Sequence, residues 1–257
     1  MQLALMTSWE VQDYLERSRG IILPVGSMEQ HGPIGMIGTD AICAEHIARR
    51  AGSLVNALVA PTLHYTPAQF NNEFSGTVSI SSKIFAQYIE SILRALGSQG
   101  FERIYILNAH GANLAPIQVA MHDVYDELGE IAPLIRIRSW WEFDQVNALR
   151  DTYYGDREGL HGTPSEIAIT QSIYPDLVKQ SGKQKPDIKP LDAKKIHNHA
   201  GDRHGPSLWH KQQFPSGLVG SDPFLAQREA GDALIRAAAR STADDYSEFV
   251  LTPPESY

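Results

Sequence analysis

The sequence predicts an α/β fold: a mostly parallel sheet with helices on both faces. Three observations predict it. Short apolar runs such as Ile21-Ile22-Leu23-Pro24-Val25 read as strands buried on both faces. Segments with apolar residues at helical spacing alternate with them. Polar, Gly-containing loops follow the strands, and in such sheets the ligand sits beyond the strand carboxyl ends.

The elements read in order as follows. Met1 to Leu15 is a short amphipathic helix, capped by Thr7 or Ser8 with a carboxylate near its third position. Ile21 to Val25 is the first strand, ended by Gly26-Ser27, and a polar loop runs to Thr39. Asp40 to Arg50 is helical, with Thr39 or Asp40 as N-cap. Leu54 to Ala60 reads as a second strand. Ser81 to Leu96 carries Ile84, Tyr88, Leu93 and Leu96 near helical period, with Ser81 or Ser82 as cap and Gly97 as stop. Arg103 to Leu107 is a buried strand, and Asn108 to Asn113 is its exit loop. Ala115 to Leu128 is a helix that tolerates Pro116 in its first turn. Pro133 to Arg138 is a strand leading into Trp140-Trp141, and Pro164 to Ser172 is helical. The last helix runs from about Leu225 to Ala243. Lys179 to Phe214 breaks the rhythm and reads as a long excursion, since good periodicity resumes after it. No domain boundary stands out.

Composition narrows the function. The 257 residues are 42% hydrophobic, enough apolar surface to fold. The 22 Lys and Arg against 30 Asp and Glu give a net charge of −8, which argues against a non-specific nucleic-acid binder. Cys43 is the single cysteine, so no intramolecular disulfide forms. The N-terminus has no basic leader, and no apolar run approaches a membrane span. A soluble cytoplasmic protein is expected, with neither nucleic acid nor membrane as partner.

Chemistry-bearing residues gather at the strand exits. Glu29, His31 and Asp40 lie within twelve residues after the first strand. In an extended segment Glu29 and His31 face the same side, and Asp40 at a helix start can swing towards them. Oxygen and imidazole donors together suit Zn²⁺, Mn²⁺, Fe²⁺ or Ni²⁺ more than Mg²⁺. The bland alternative is a surface loop whose Asp caps a helix. The next buried strand exits through Asn108-Ala109-His110-Gly111-Ala112-Asn113, and a third segment carries His161 and Glu166. For His110 the alternative is a capping or carbonyl-bonded histidine, and for Glu166 it is complementarity with the helix dipole.

Taken together, these segments make the chain resemble the creatininase (creatinine amidohydrolase) family. The matching pieces are Pro24 to Pro33 with Gly38-Thr39-Asp40, then Asn108 to Asn113, then His161 with Glu166. Phe74-Ser75-Gly76-Thr77, Trp140-Trp141 and Gly220-Ser221-Asp222-Pro223 also match, in the family's order and across nearly the whole chain. The resemblance implies one three-layer α/β/α domain over residues 1–257. It implies two divalent ions, a metal-activated water, and hydrolysis of a non-peptide C–N bond in a small-molecule amide, often a cyclic amide or formamide. A homo-oligomer, commonly a hexamer, is implied too. Carried over by position, Glu29, His31, Asp40 and His110 match metal ligands, with Asp40 the bridge. Glu166 matches the acidic position of the third motif, and His161 a histidine implicated in proton transfer.

The chain departs from that pattern in two places. Creatininases carry an aromatic residue directly after the motif histidine and a ligating Glu one residue later; here those positions are Gly111 and Ala112. The second metal must then lose a ligand, recruit Glu166, or be absent. Phe70-Asn71 stands where many relatives have Glu-His. Creatinine is thus a poor fit as substrate, and the broader amidohydrolase reading is preferred.

Other residues admit two readings. Asn108 and Asn113 could orient the histidines or hold the loop. Of Trp140 and Trp141, one, with Trp141 the candidate, could wall the pocket, or both could pack at a subunit interface. His197, His199, His204 and His210 could bind an extra metal or belong to a lid or oligomer contact. Cys43 reads as core. Two rival functions remain: a nucleotide-binding module, which lacks any glycine-rich fingerprint here, and a non-catalytic family member serving as an assembly subunit.

Overall fold

Four parallel strands form the central sheet in the order β2-β1-β3-β4, with β1 at Gly20–Val25, β2 at Leu58–Val59, β3 at Arg103–Asn108 and β4 at Leu134–Ser139. The computed structural model describes residues 1–179, 185–188 and 205–253. Among the described residues the α-helices are α1 (Ser8–Leu15), α2 (Thr39–Val55), α3 (Ser82–Ser98), α4 (Leu114–Leu128), α5 (Asp144–Tyr153), α6 (Pro164–Ile173), α7 (Ser207–Gln213) and α8 (Arg228–Leu251).

Strand alternation divides the core into two layers. Ile21, Leu23, Ile104 and Ile106 pack with Tyr14 of α1, with Phe85, Ile89 and Leu93 of α3, and with Ile117 and Val124 of α4. Ile22, Tyr105 and Leu107 face the other way, onto Ile47 of α2, Val146 of α5, Ile169 of α6 and Leu234 of α8. This is the expected three-layer α/β/α arrangement. Among the described residues, no helix is long and apolar enough to cross a membrane.

Several boundaries differ from expectation, each for a physical reason. Residues Leu54 to Ala60 are not one strand. Instead α2 continues to Val55 and ends on Asn56 in the left-handed conformation (φ 53°), leaving Leu58–Val59 to pair with β1. Neither Thr39 nor Asp40 caps α2; Gly38 does, which frees the Asp40 carboxylate for other partners. Gly97 does not stop α3, which runs to Ser98. The last helix starts at Arg228, after a short turn at Pro223–Leu225, and reaches Leu251. A helix over Asp144–Tyr153 was not expected, and α7 lies within the excursion. At the N-terminus Thr7 does cap α1, with Glu10 completing a capping box.

The register sets the site. Val25 pairs with Asn108, and Asn108 with Ser139, so the β1, β3 and β4 exits lie level at one edge. Gly26 keeps β1 against α2, because a Cβ there would run into the Asp40–Ala41 backbone. Asn113 Nδ2 donates to the Gly26 carbonyl (2.9 Å) and to Asn108 Oδ1 (3.1 Å), and Asn108 Nδ2 donates to Ser139 Oγ (3.2 Å). The two asparagines thus tie the exits together.

Candidate active site

Six titratable side chains meet at the carboxyl edge of the sheet: Glu29, His31, Asp40, His110, His161 and Glu166, each buried. They come from four segments. Glu29 and His31 sit in the β1 exit loop, closed by a Glu29 N–H bond to the Ile37 carbonyl (2.9 Å). Asp40 stands in the first turn of α2 and His110 follows β3. His161 forms a bridge to Val219 just before α6, and Glu166 lies in the first turn of α6.

The geometry divides around Asp40. Its Oδ2 lies 3.2 Å from His110 Nδ1, which is also 2.9 Å from Glu29 Oε1. Its Oδ1 lies 3.0 Å from His31 Nε2, which is 4.0 Å from Glu166 Oε2. His161 Nδ1 is 3.8 Å from Glu29 Oε1. Glu29-Asp40-His110, His31-Asp40-Glu166 and Glu29-His31-His161 are each close enough to hold one ion.

Each histidine has its outer nitrogen fixed by the backbone. His110 Nε2 lies 2.8 Å from the Pro67 carbonyl, His31 Nδ1 3.1 Å from the Glu29 carbonyl and His161 Nε2 2.7 Å from the Gln30 carbonyl. A carbonyl only accepts, so each outer nitrogen carries the proton. In the neutral ring the inner nitrogen is then a lone pair aimed at carboxylate oxygens. Such a set needs protons or metal ions between its members. Glu29 Oε1 agrees with this: it is buried, and a proton or an ion on His110 Nδ1, 2.9 Å away, would satisfy it. The donor set, carboxylate oxygens and oriented imidazoles, fits divalent transition ions.

Electrostatics report the same demand. Burial alone would raise the Asp40 and Glu29 carboxyls, yet the facing histidines hold Asp40 well below the usual range and Glu29 below it. Burial alone would lower His31, but Asp40, Glu166 and Glu29 lift it to about 10; His110 is raised against its burial in the same way by Glu29 and Asp40. Protonated rings thus hold the balancing charge without metal. His161 differs: burial dominates and pushes it down to about 4, so it is neutral. Burial also lifts Glu166, to about 7. Its Oε2 accepts from the Thr163 N–H (2.9 Å), closing a capping box on α6.

The remaining candidates are placed as follows. Cys43 is buried, with its thiol towards the Glu166 carbonyl. Trp140 is core, and half-buried Trp141 packs edge-on against it at 5.8 Å. His197, His199 and His204 lie outside the described residues. His210 is buried on α7, with its ring 5.4 Å from Phe70. Sequence reasoning missed three contributors. Phe70 stacks on His110 (6.1 Å) and meets His161 edge-on (6.5 Å). Gln30 and Asn71 bond directly to His161 and Glu29. Asn71 stood out only as a departure, and Gln30 is flanked by candidate ligands.

Fold and site define an α/β protein with a buried carboxylate- and imidazole-lined centre at the carboxyl edge of its parallel sheet, a donor set suited to divalent ions. Residues 4–245 match the family model described as creatininase, creatinine amidohydrolase, and the chain belongs to that family. It is 22% identical over 247 residues to a 3-dehydro-scyllo-inosose hydrolase of Thermotoga maritima, covering 89% of this chain and 77% of that protein. It is 27% identical over 174 residues to a creatinine amidohydrolase of Pseudomonas putida, covering 62% of this chain and 65% of that one. A solved manganese creatininase superposes with TM-score 0.78 at 24% identity, over 98% of this chain and 99% of that one.

Proposed function

We propose that the protein is a metal-dependent amidohydrolase that cleaves a non-peptide C–N bond in a small amide, cyclic amide or formamide. The observation that carries this is the orientation of the three histidines, each pinned outside by a carbonyl and turned inside towards carboxylates. Glu29, Asp40 and His110 would hold one divalent ion, and His31, Asp40 and Glu166 a second, with Asp40 bridging. Gly111 and Ala112 offer no side-chain donor, so Glu166 takes the open position of the second set. Zn²⁺, Mn²⁺, Fe²⁺ and Ni²⁺ all suit these donors. When bound, such a pair acidifies water and polarises the substrate carbonyl.

The chain's own residues supply the proton path. His161 is neutral, with Nε2–H held by Gln30 and Nδ1 free towards the centre. Nδ1 takes a proton from the attacking water and hands it to the leaving nitrogen. The C–O bond forms, the C–N bond breaks, and a carboxylic acid and an amine result; such acid–base help contributes about 10²–10⁴-fold. Phe70 covers His110 and His161 and keeps bulk water from them. Trp141, at the β4 exit, is the proposed flat wall for the substrate. Elemental analysis of purified protein, paired with an amide and formamide panel before and after chelation, tests the reading. Metal present and activity lost and restored with it are expected; a metal-free, fully active enzyme would overturn it.

A further inference from the structure

The carboxylate of Glu29 has two very different oxygens. Oε1 faces the histidines, whereas Oε2 accepts a 2.6 Å hydrogen bond from Asn71 Nδ2. Asn71 is itself held. Its Oδ1 accepts from Gln30 Nε2 at 2.9 Å. Gln30 has no freedom to turn over: Nε2 also donates to the Gly217 carbonyl (2.9 Å), and Oε1 accepts from the Gly32 N–H (2.8 Å). Gly217 approaches so closely, at φ 80°, that a Cβ there would collide with the Gln30 amide. Both amides are buried. Their direction is therefore determined end to end, from two backbone groups through Gln30 and Asn71 to Glu29 Oε2.

We infer that Asn71 and Gln30 are positioning residues, a pair of oriented amides that aims Glu29 Oε1 at the metal centre; this rests on the metal-dependent reading above. An amide is suited to the task. It donates a hydrogen bond without a titratable proton, so Glu29 stays a carboxylate whose second oxygen is left over for an ion. Gln30 does a second thing with its backbone: its carbonyl holds His161 Nε2. One residue thus sets the direction of both the Glu29 carboxylate and the proton-carrying ring. It also ties them to the chain that returns from α7 at Gly217.

The test uses Asn71→Leu and Gln30→Met, which keep side-chain volume and remove the amide. The readouts are Mn²⁺ affinity by calorimetry and the visible absorption of the Co²⁺-loaded protein. Loss of a group that orients a metal ligand costs about 10–100-fold in metal affinity. Both variants are expected to lose that much and to change the Co²⁺ bands, and the double variant to lose little more than Asn71→Leu alone. If Asn71→Leu fails to fold, Gln30→Met decides by the same readouts. Unchanged affinity and bands in a folded variant would overturn the inference. A wild-type protein that binds neither ion would overturn the metal-dependent reading instead.

Discussion

His110 Nδ1 lies 3.2 Å from Asp40 Oδ2, although the other nitrogen of that ring is already committed to the Pro67 carbonyl. The contact therefore needs a proton or a metal ion on Nδ1. Asp40 makes the same demand of His31 with its second oxygen. A single carboxylate between two oriented imidazoles is the arrangement from which the metal-binding expectations follow.

Asp40→Ala is expected to remove both ions, because both donor sets share that residue. His31→Ala is expected to remove mainly one. Elemental analysis should read close to zero metal in the first variant and about half the wild-type content in the second. Full occupancy in Asp40→Ala would defeat the bridging role.

Glu166 closes the capping box of α6 and also faces His31 Nε2 at 4.0 Å. Two substitutions separate these jobs. Gln retains the capping geometry, so Glu166→Gln should hold its metal-free stability but lose metal on the His31 side. Glu166→Ala should lose metal there too and about 1 kcal/mol of stability, the usual worth of a cap. A metal-bound crystal structure should place a Glu166 oxygen at about 2.0–2.2 Å from an ion; a side chain turned to solvent would sink the assignment.

His161→Ala should keep its metal content and lose kcat, by about 10²–10⁴-fold on amides with poor leaving groups. The loss should shrink for leaving groups that need little protonation. Wild-type kcat on the poor ones would show that another group moves the proton.

The metal-free protein should lose stability on both sides of neutrality. The His161 pKa falls from its ordinary value near 6.5 to about 4 on folding, so its contribution is present above about 6.5 and disappears as pH drops towards 4. His31 rises to about 10, so its contribution is complete below about 6.5 and is lost as pH climbs through 10. The His31 shift is worth about 5 kcal/mol and the His161 shift about 3 kcal/mol, or roughly 10–20 °C and 6–12 °C in Tm respectively for a chain of this length. Calorimetry at pH 4, 7 and 10 on chelated protein should show a maximum near neutrality. A flat Tm across that range would contradict these environments.

The amino-acid sequence by itself determined the α/β class, the strands from Ile21, Arg103 and Pro133, and the loops that carry Glu29, His31, Asp40 and His110. Those features are local: an apolar run buried on both faces and a polar exit are written in consecutive residues. Where α2 ends was decided against its neighbours, since β2 needs only the two residues that pair with β1. The tertiary structure alone decided which nitrogen of each histidine faces inwards. Pro67, 43 residues from His110, and Gln30, 131 residues from His161, offer backbone carbonyls that any residue type could supply, so no side-chain pattern announces them. The same holds for Asn71 on Glu29: a neutral amide reads as turn chemistry until the sheet register sets the exits level and burial leaves that carboxylate as its partner.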